Sequence, residues 1–457
     1  MQSSWPAVLT ALQEAKTPDI VIRLFKTHYQ NLCGENESFV REATISPADD
    51  VVDAEKLDSD LTAVGRDALG AAAVLKLNGG LGTSMGLEGP KSLLPVRGQD
   101  SFLALILRQA KNLNVPLVLM NSFSTQQQTT AAIDSLESDV AVIQFLQHQV
   151  PKIDAETLEP ALWPKDPVLQ WCPPGHGDIY AALVTSGTLE KLLDEGRRYL
   201  FVSNADNLGA TLDTSILGHF VNSGKSFLME VADRTAADRK GGHLARKLGG
   251  GLLLREKAQC HPEEQDHFQD ISRHRYFNTN NLWLDLVSIK TFLDTNNGVL
   301  PLPTITNRKT VDPKDASSTP VFQLETAMGA AIESLPNTDA IRVPRSRFAP
   351  VKTTGDLLAV RSDAYAVRDD ASVGLIEQRN GVPPNVELDD RFYKKIADLD
   401  DQFAAAPSLK DCDRLTIQGN LKIAANVVCR RNVVLSGGDQ HEPANVPPGT
   451  YEGEHCF

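Results

Sequence analysis

Between about residues 69 and 370, short apolar runs alternate with amphipathic stretches, and this alternation constrains the fold more than any other feature of the chain. The runs at 115–120 (VPLVLM), 140–146, 199–202 and 227–231 have the length and composition of buried strands, and helical patterns such as FLALILRQAKNL stand between them. Strands separated by helices indicate βαβ units and a parallel sheet covered on both faces. Ligands of such sheets bind outside the carboxyl ends of the strands. Functional motifs are therefore expected directly after the apolar runs.

They stand there. Val74, Leu75 and Leu77 lead into Gly79, Gly80, Gly82, Gly86 and Gly89, and the stretch closes on Pro90-Lys91-Ser92. Glycines permit close backbone approach, and consecutive N–H groups in such a loop cradle an anion, to which Lys91 adds positive charge. A bare glycine turn can be only a turn; five glycines with a lysine between strand-like runs argue for a phosphate cradle. Met120-Asn121-Ser122, Gln147-His148-Gln149 and Ser203-Asn204-Ala205-Asp206-Asn207 follow later runs. A carboxylate such as Asp206, emerging from a buried strand, suits Mg²⁺ bridging phosphate oxygens; a turn or helix cap is its alternative role. Gly175-His176-Gly177-Asp178 offers further backbone donors, with His176 as a polar handle, although a lone turn histidine is more often structural. Asn278, Asn280 and Asn281 lie between aromatic residues and can both donate to and accept from sugar hydroxyls.

Charge sharpens this picture. The 45 basic and 59 acidic residues leave a net charge of −14, which argues against nucleic acid or an anionic membrane as main partner. Positive charge must then be concentrated locally, and Arg342, Arg345, Arg347 and Lys352 form the clearest cationic patch. No apolar run approaches the roughly 18 residues of a membrane span. The first residues lack a secretory signal, and the six scattered cysteines have no zinc or disulfide spacing. A soluble, cytoplasmic protein is expected.

The two ends read differently from the middle. Residues 1–68 look helical: DIVIRLFKTHYQNL presents Ile20, Ile22, Leu24, Phe25 and Tyr29, and Ser46-Pro47 resembles a second helix start. From Leu415 a six-residue period sets in, with Leu415, Leu421, Val427 and Val433 in one register and Ile417, Ile423, Cys429 and Leu435 in another. This is the hexapeptide pattern of a parallel β-helix, too short to bury its own faces and lost in the last residues.

LNGGLGTSMGLEGPKS, PPGHGDIYAA, FVSNADNLGATLD, KGG, FNTNNLW, FQLETAMGAAI and PRSRFAPVKTTGDLL together resemble, in order, the motifs of eukaryotic-type UTP–glucose-1-phosphate uridylyltransferases. The resemblance implies an α/β fold: a helical N-terminal segment (1–68), a Rossmann-like, GT-A-like nucleotidyltransferase core with a mixed or parallel sheet (69–372), and a short left-handed parallel β-helix (373–457). It implies Mg²⁺-dependent uridylyl transfer from UTP to glucose 1-phosphate, by in-line attack without a covalent intermediate. Related UDP-sugar and UDP-N-acetylhexosamine pyrophosphorylases, or a silent nucleotide-sugar scaffold, are the alternatives. Carried over by motif, Leu77, Asn78, Gly79 and Gly80 would face uracil and ribose, and Gly82, Thr83 and Met85 the phosphates. Met120 and Gln147 would border the base, and Gly175 and His176 the uracil and α-phosphate. Lys91, Lys352 and Asp206 would act on the phosphates, Asp206 as the metal ligand. Asn204, Gly242, Glu256 and Asn280 would meet the sugar. The chain stops soon after Pro447-Pro448-Gly449, so a monomer or small homo-oligomer is expected.

Overall fold

Eight strands form the central sheet of the computed structural model, which describes residues 4–34, 39–136, 138–439 and 441–457. In chain order they are β1 (Val52–Asp53), β2 (Ala72–Asn78), β3 (Leu117–Asn121), β4 (Val142–Leu146), β5 (Tyr199–Asn204), β6 (Phe227–Asp233), β7 (Tyr276–Asp285) and β8 (Thr338–Arg342). Across the sheet they run β1-β8-β6-β7-β5-β2-β3-β4. Only β7 is antiparallel to its neighbours, so the sheet is mixed. Its two faces belong to different hydrophobic clusters. Val74 and Phe201 pack with the helix Phe102–Leu113, while Leu75 and Val202 pack with the helix Ile179–Thr185. Burial on both faces is why these strands read as continuous apolar runs. Parallel β2, β3, β4 and β5 therefore deliver four chain crossings to one edge.

The N-terminal segment departs from the helical expectation. Helices do form at Trp5–Glu14, Asp19–Leu32 and Asp60–Ala68. The buried stripe of the second is Val21, Phe25, His28 and Tyr29, whereas Ile20, Ile22 and Leu24 are only half-buried. Ser46-Pro47 starts no helix: Ile45–Pro47 is a strand paired antiparallel with His243–Lys247, and Val52–Asp53 continues as the edge of the central sheet. A proline is tolerated at such an edge because its missing N–H need not serve a second neighbour, and Ile45 gains burial against Ala245 and Leu253.

At the other end, β9 (Asn385–Leu388), β10 (Ser408–Gly419), β11 (Val427–Gly437) and β12 (Gly449–Cys456) stack in parallel in that order. All eight residues of the two hexapeptide registers are at most 2% exposed. The tail extends the stack. Its period is lost in sequence, yet Gly449–Cys456 still adds a strand, with Tyr451 opposite Cys429 and Val446 completely buried. Extra residues after Gly437 break the period without ending the stack. The stack shares one hydrophobic cluster with the central sheet through Leu357, Leu358 and Tyr393. The Tyr393 hydroxyl both donates to Leu421 O (2.9 Å) and accepts from Leu421 N–H (2.7 Å). Among the described residues no helix is long and apolar enough to cross a membrane.

Candidate active site

A cleft of about 260 Å³ opens at the carboxyl ends of β2, β3, β4 and β5. β2 ends in Asn78 and passes into the glycine loop, which closes on itself: Leu81 bridges Pro90, and the Lys91 N–H donates to Gly80 O (3.2 Å). That return brings Lys91 beside the turn after β5, where its Nζ lies 2.7 Å from Asp206 Oδ2. Both side chains keep some exposure, 15% and 21%, so the pair faces the cleft rather than the core. Gln147 follows β4, its N–H donating to Asn121 O (2.8 Å). Gly79 makes room for this glutamine: a Cβ there would lie 2.5 Å from Gln147 Nε2.

The opposite wall comes from the Gly175 turn, which is stitched to a distant segment. Gly175 has φ +81° and no space for a side chain, since a Cβ would lie 2.5 Å from Thr326 O. The Gly177 N–H donates to that same carbonyl (2.9 Å). His176 Nδ1 accepts from the Met328 N–H (3.0 Å), so its ring proton sits on Nε2. Burial pushes its pKa down to about 4, leaving a neutral imidazole donor beside the cleft. Asp178 braces its own turn against the loop after β4, accepting from the His148 N–H (2.7 Å) and pairing with His148 Nδ1 (2.8 Å).

Of the residues singled out by sequence, Leu77, Asn78, Gly79, Gly80, Met120, Gln147, Gly175, His176, Lys91, Asn204 and Asp206 all line this cleft. Gly82, Thr83 and Met85 do not. Met85 is 1% exposed in the hydrophobic core and its N–H donates to Gly82 O (2.9 Å), so neither its side chain nor its amide is free for a phosphate. Gly82 is covered by Leu87. Gly242 and Glu256 touch each other outside the cleft: a Cβ on Gly242 would lie 2.5 Å from Glu256 Oε2, and burial raises the Glu256 carboxyl pKa. Asn280 sits in a bulge of β7 with φ +60° and accepts from Asn278 Nδ2 (2.9 Å). The last register pair, Val202 with Leu282, lies two residues short of Asn204 and Asn280, so both amides leave the same edge of the sheet.

Lys352 reaches this edge by its backbone. Pro350 bridges Asn207, and the Val351 N–H donates to Asp206 O (3.1 Å). The cationic patch expected around it is not one. Arg342 pairs with Asp53, Glu55 and Asp233, Arg345 with Asp238, and buried Arg347 with Glu230. These guanidiniums neutralise acidic residues that are distant in sequence. Among the described residues, only Lys352 of the four forms no ion pair, and it is exposed.

Residues 22–430 match the profile of the family described as UTP–glucose-1-phosphate uridylyltransferase. The chain belongs to that family. It is 42% identical over 394 residues to the probable UTP–glucose-1-phosphate uridylyltransferase of Schizosaccharomyces pombe, covering 84% of this chain and 76% of that one. Against the Saccharomyces cerevisiae enzyme of the same name the identity is 41% over 390 residues, covering 84% and 77%. A Leishmania major UDP-glucose pyrophosphorylase variant, solved with UDP-glucose, superposes with a TM-score of 0.90 at 39% identity, covering 100% of both chains.

Two further polar residues, one lining the cleft and one buried beneath it, stand out in the structure. Ser92 lines the cleft, is 2% exposed, and its Oγ has no hydrogen-bond partner among the described residues. Its place after Lys91 in the glycine stretch was the available signal. Lys76 is buried beneath the same edge, donating to Ser203 Oγ and Ala210 O, both at 2.7 Å. Desolvation lowers its pKa to about 7. A charged residue inside an apolar run marks such a position.

Proposed function

We propose that this chain transfers the uridylyl group of UTP to glucose 1-phosphate, giving UDP-glucose and pyrophosphate. The observation that carries the reading is the Lys91–Asp206 pair at the mouth of the cleft, with Val351, the residue before Lys352, bonded to the backbone of Asp206. Opposite charges are thus gathered on one sheet edge below a glycine loop. The names of the relatives, at 41–42% identity, support the same assignment.

In this reading uracil lies between Leu77–Gly80, Met120 and Gln147, with the neutral His176 donating from Nε2. Gln147 reads the hydrogen-bonding edge of the base. Lys91 and the unpartnered Ser92 hydroxyl meet the triphosphate, while Asn204 and Asn280 meet the sugar. Gly242 and Glu256 approach it from the side. A phosphate oxygen of the sugar attacks the α-phosphorus in line, and the barrier falls through positioning and charge neutralisation. No enzyme nucleophile is needed: the Ser92 hydroxyl has no base beside it among the described residues.

The donor set fits Mg²⁺ in one way. Asp206 offers a single carboxylate, and the described residues hold no cluster of three or more such ligands. An ion held by Asp206 would take its other ligands from phosphates and water, as Mg²⁺ commonly does. Lys91 occupies Oδ2 and leaves Oδ1 open. Bound there, Mg²⁺ would neutralise phosphate charge. We also read residues 1–68, 69–372 and 373–457 as N-terminal segment, nucleotidyltransferase domain and short left-handed β-helix.

Incubation of purified chain with UTP and Mg²⁺ against a panel of glucose, galactose and N-acetylglucosamine 1-phosphates tests the assignment. Preferred turnover of glucose 1-phosphate is expected. Strong preference for an N-acetyl sugar would overturn the substrate, and absence of pyrophosphate release with every sugar would overturn catalysis.

A further inference from the structure

We propose that Asn207 is the positioning residue that sets Lys352 against Asp206, so that its loss lowers turnover through Lys352 rather than through UTP binding. This rests on the proposed function and on Lys352 acting there on the phosphates. Asn207 is 3% exposed and does not itself line the cleft, although its backbone N–H donates to Asn204 O (3.2 Å), which does. Its side-chain amide is used at both ends. Oδ1 accepts from Gly209 N–H (3.2 Å), closing its own turn, and from Ala349 N–H (2.9 Å). Nδ2 donates to Arg347 O (3.0 Å). One side chain therefore grips the Arg347–Ala349 backbone at two points, and the consequence appears immediately downstream: Pro350 bridges Asn207, Val351 N–H reaches Asp206 O, and Lys352 follows.

The segment it grips cannot drift, because Arg347 is anchored from below. Its Nε and Nη2 meet the two oxygens of Glu230 at 2.8 and 2.6 Å, and Nη2 also donates to Thr211 O (2.8 Å). Glu230 is completely buried and is further bound by Asn281 Nδ2 (2.9 Å) and Trp283 Nε1 (3.0 Å). Gly209 lets the two backbones approach: a Cβ there would lie 2.2 Å from Ser346 O. Asn207 links this buried anchor to the turn that presents Asp206, beside Asn281, whose Nδ2 also reaches Arg347 O (3.3 Å) and whose Oδ1 accepts from Asn207 Nδ2 (3.4 Å). Without it, the peptide before Lys352 keeps its anchor but loses its register against Asp206.

A double-mutant cycle of Asn207→Ala and Lys352→Ala, read as pyrophosphate release with labelled UTP, tests this. Asn207→Ala should lower kcat about 30- to 100-fold with KM for UTP within about threefold, and should cost less than about threefold more once Lys352 is already alanine. Asn207→Asp keeps the Oδ1 acceptor and should recover kcat to within about tenfold. If Asn207→Ala does not fold, Asn207→Ser takes its place in the cycle. Losses that multiply in the double variant, or a kcat within about threefold of the unaltered chain, would overturn the inference while leaving the proposed activity intact. No turnover of any sugar 1-phosphate by the unaltered chain would remove both.

Discussion

Lys352→Ala should cut turnover without loosening UTP or weakening the fold. The side chain is exposed, and the local turn depends on other atoms: the Lys352 N–H donates to Asp356 Oδ2 (2.8 Å), and Thr353 and Asp356 cap the helix that follows. Loss of the side chain should therefore change stability by no more than about 0.5 kcal/mol. The chemical cost is much larger. A preorganised donor at the charge that develops during transfer is worth about 10²–10³ in kcat, or about 2.7–4 kcal/mol. In the proposed reading the ground-state triphosphate keeps Lys91 and the Ser92 hydroxyl, so KM for UTP should move less than about threefold. Steady-state UDP-glucose formation with both substrates varied, beside thermal unfolding of the same preparation, separates these quantities. A raised KM with unchanged kcat would refute the reasoning, because Lys352 would then act on substrate and transition state alike. A large loss of thermal stability would refute it differently, by showing that the side chain holds the fold.

Three further outcomes are expected. Asp206→Asn should remove the divalent-metal requirement together with most activity; a variant still fully dependent on Mg²⁺ would exclude the ligand role. Gly175→Ala should cost roughly 1–3 kcal/mol for a side chain forced into a glycine-only backbone region, with a fall in kcat as His176 shifts; its φ of +81° and the 2.5 Å approach of Thr326 O leave no room for relaxation. Unchanged melting and turnover would contradict that geometry. Stability should also fall on acidification between about pH 6.5 and 4. Burial depresses both His28 and His176 from 6.5 to about 4, so in this window the unfolded chain binds protons that the folded chain does not. Each contributes up to about 1.4 kcal/mol per pH unit, fully present above the unfolded pKa and lost toward the folded one. Urea titrations at several pH values would show the slope, and removal of His28 by His28→Gln should reduce it; an identical slope in that variant would refute the assignment.

Much of this molecule is legible along the chain because its signals are local. Burial on both faces makes β2, β3 and β5 continuous apolar runs, and the motifs after them fall on the sheet edge where parallel strands must end. All eight residues of the hexapeptide registers are buried, as parallel stacking of successive strands puts repeated positions on the same side. Where the repeat is interrupted after Gly437, the signal vanishes although the stack continues. Local pattern also cannot tell which of several similar neighbours lies inward, as Val21 against Ile20 and Ile22 illustrates.

What only the tertiary structure decided is which charges meet. Arg342, Arg345, Arg347 and Lys352 are alike in sequence, yet three are neutralised by carboxylates far away along the chain and one is left exposed, next to the residue bonded to the Asp206 backbone. Lys91 and Asp206 each announce phosphate chemistry, but their 2.7 Å contact exists only because the glycine loop folds back beside the end of β5. Met85 shares the glycine stretch with Lys91 and goes to the core instead. Residue type and spacing determine strands, loops and the kind of chemistry available, because those depend on neighbours a few residues away. Partnership between charges depends on the order in which strands cross the sheet, and that order is set by the packing of the whole chain.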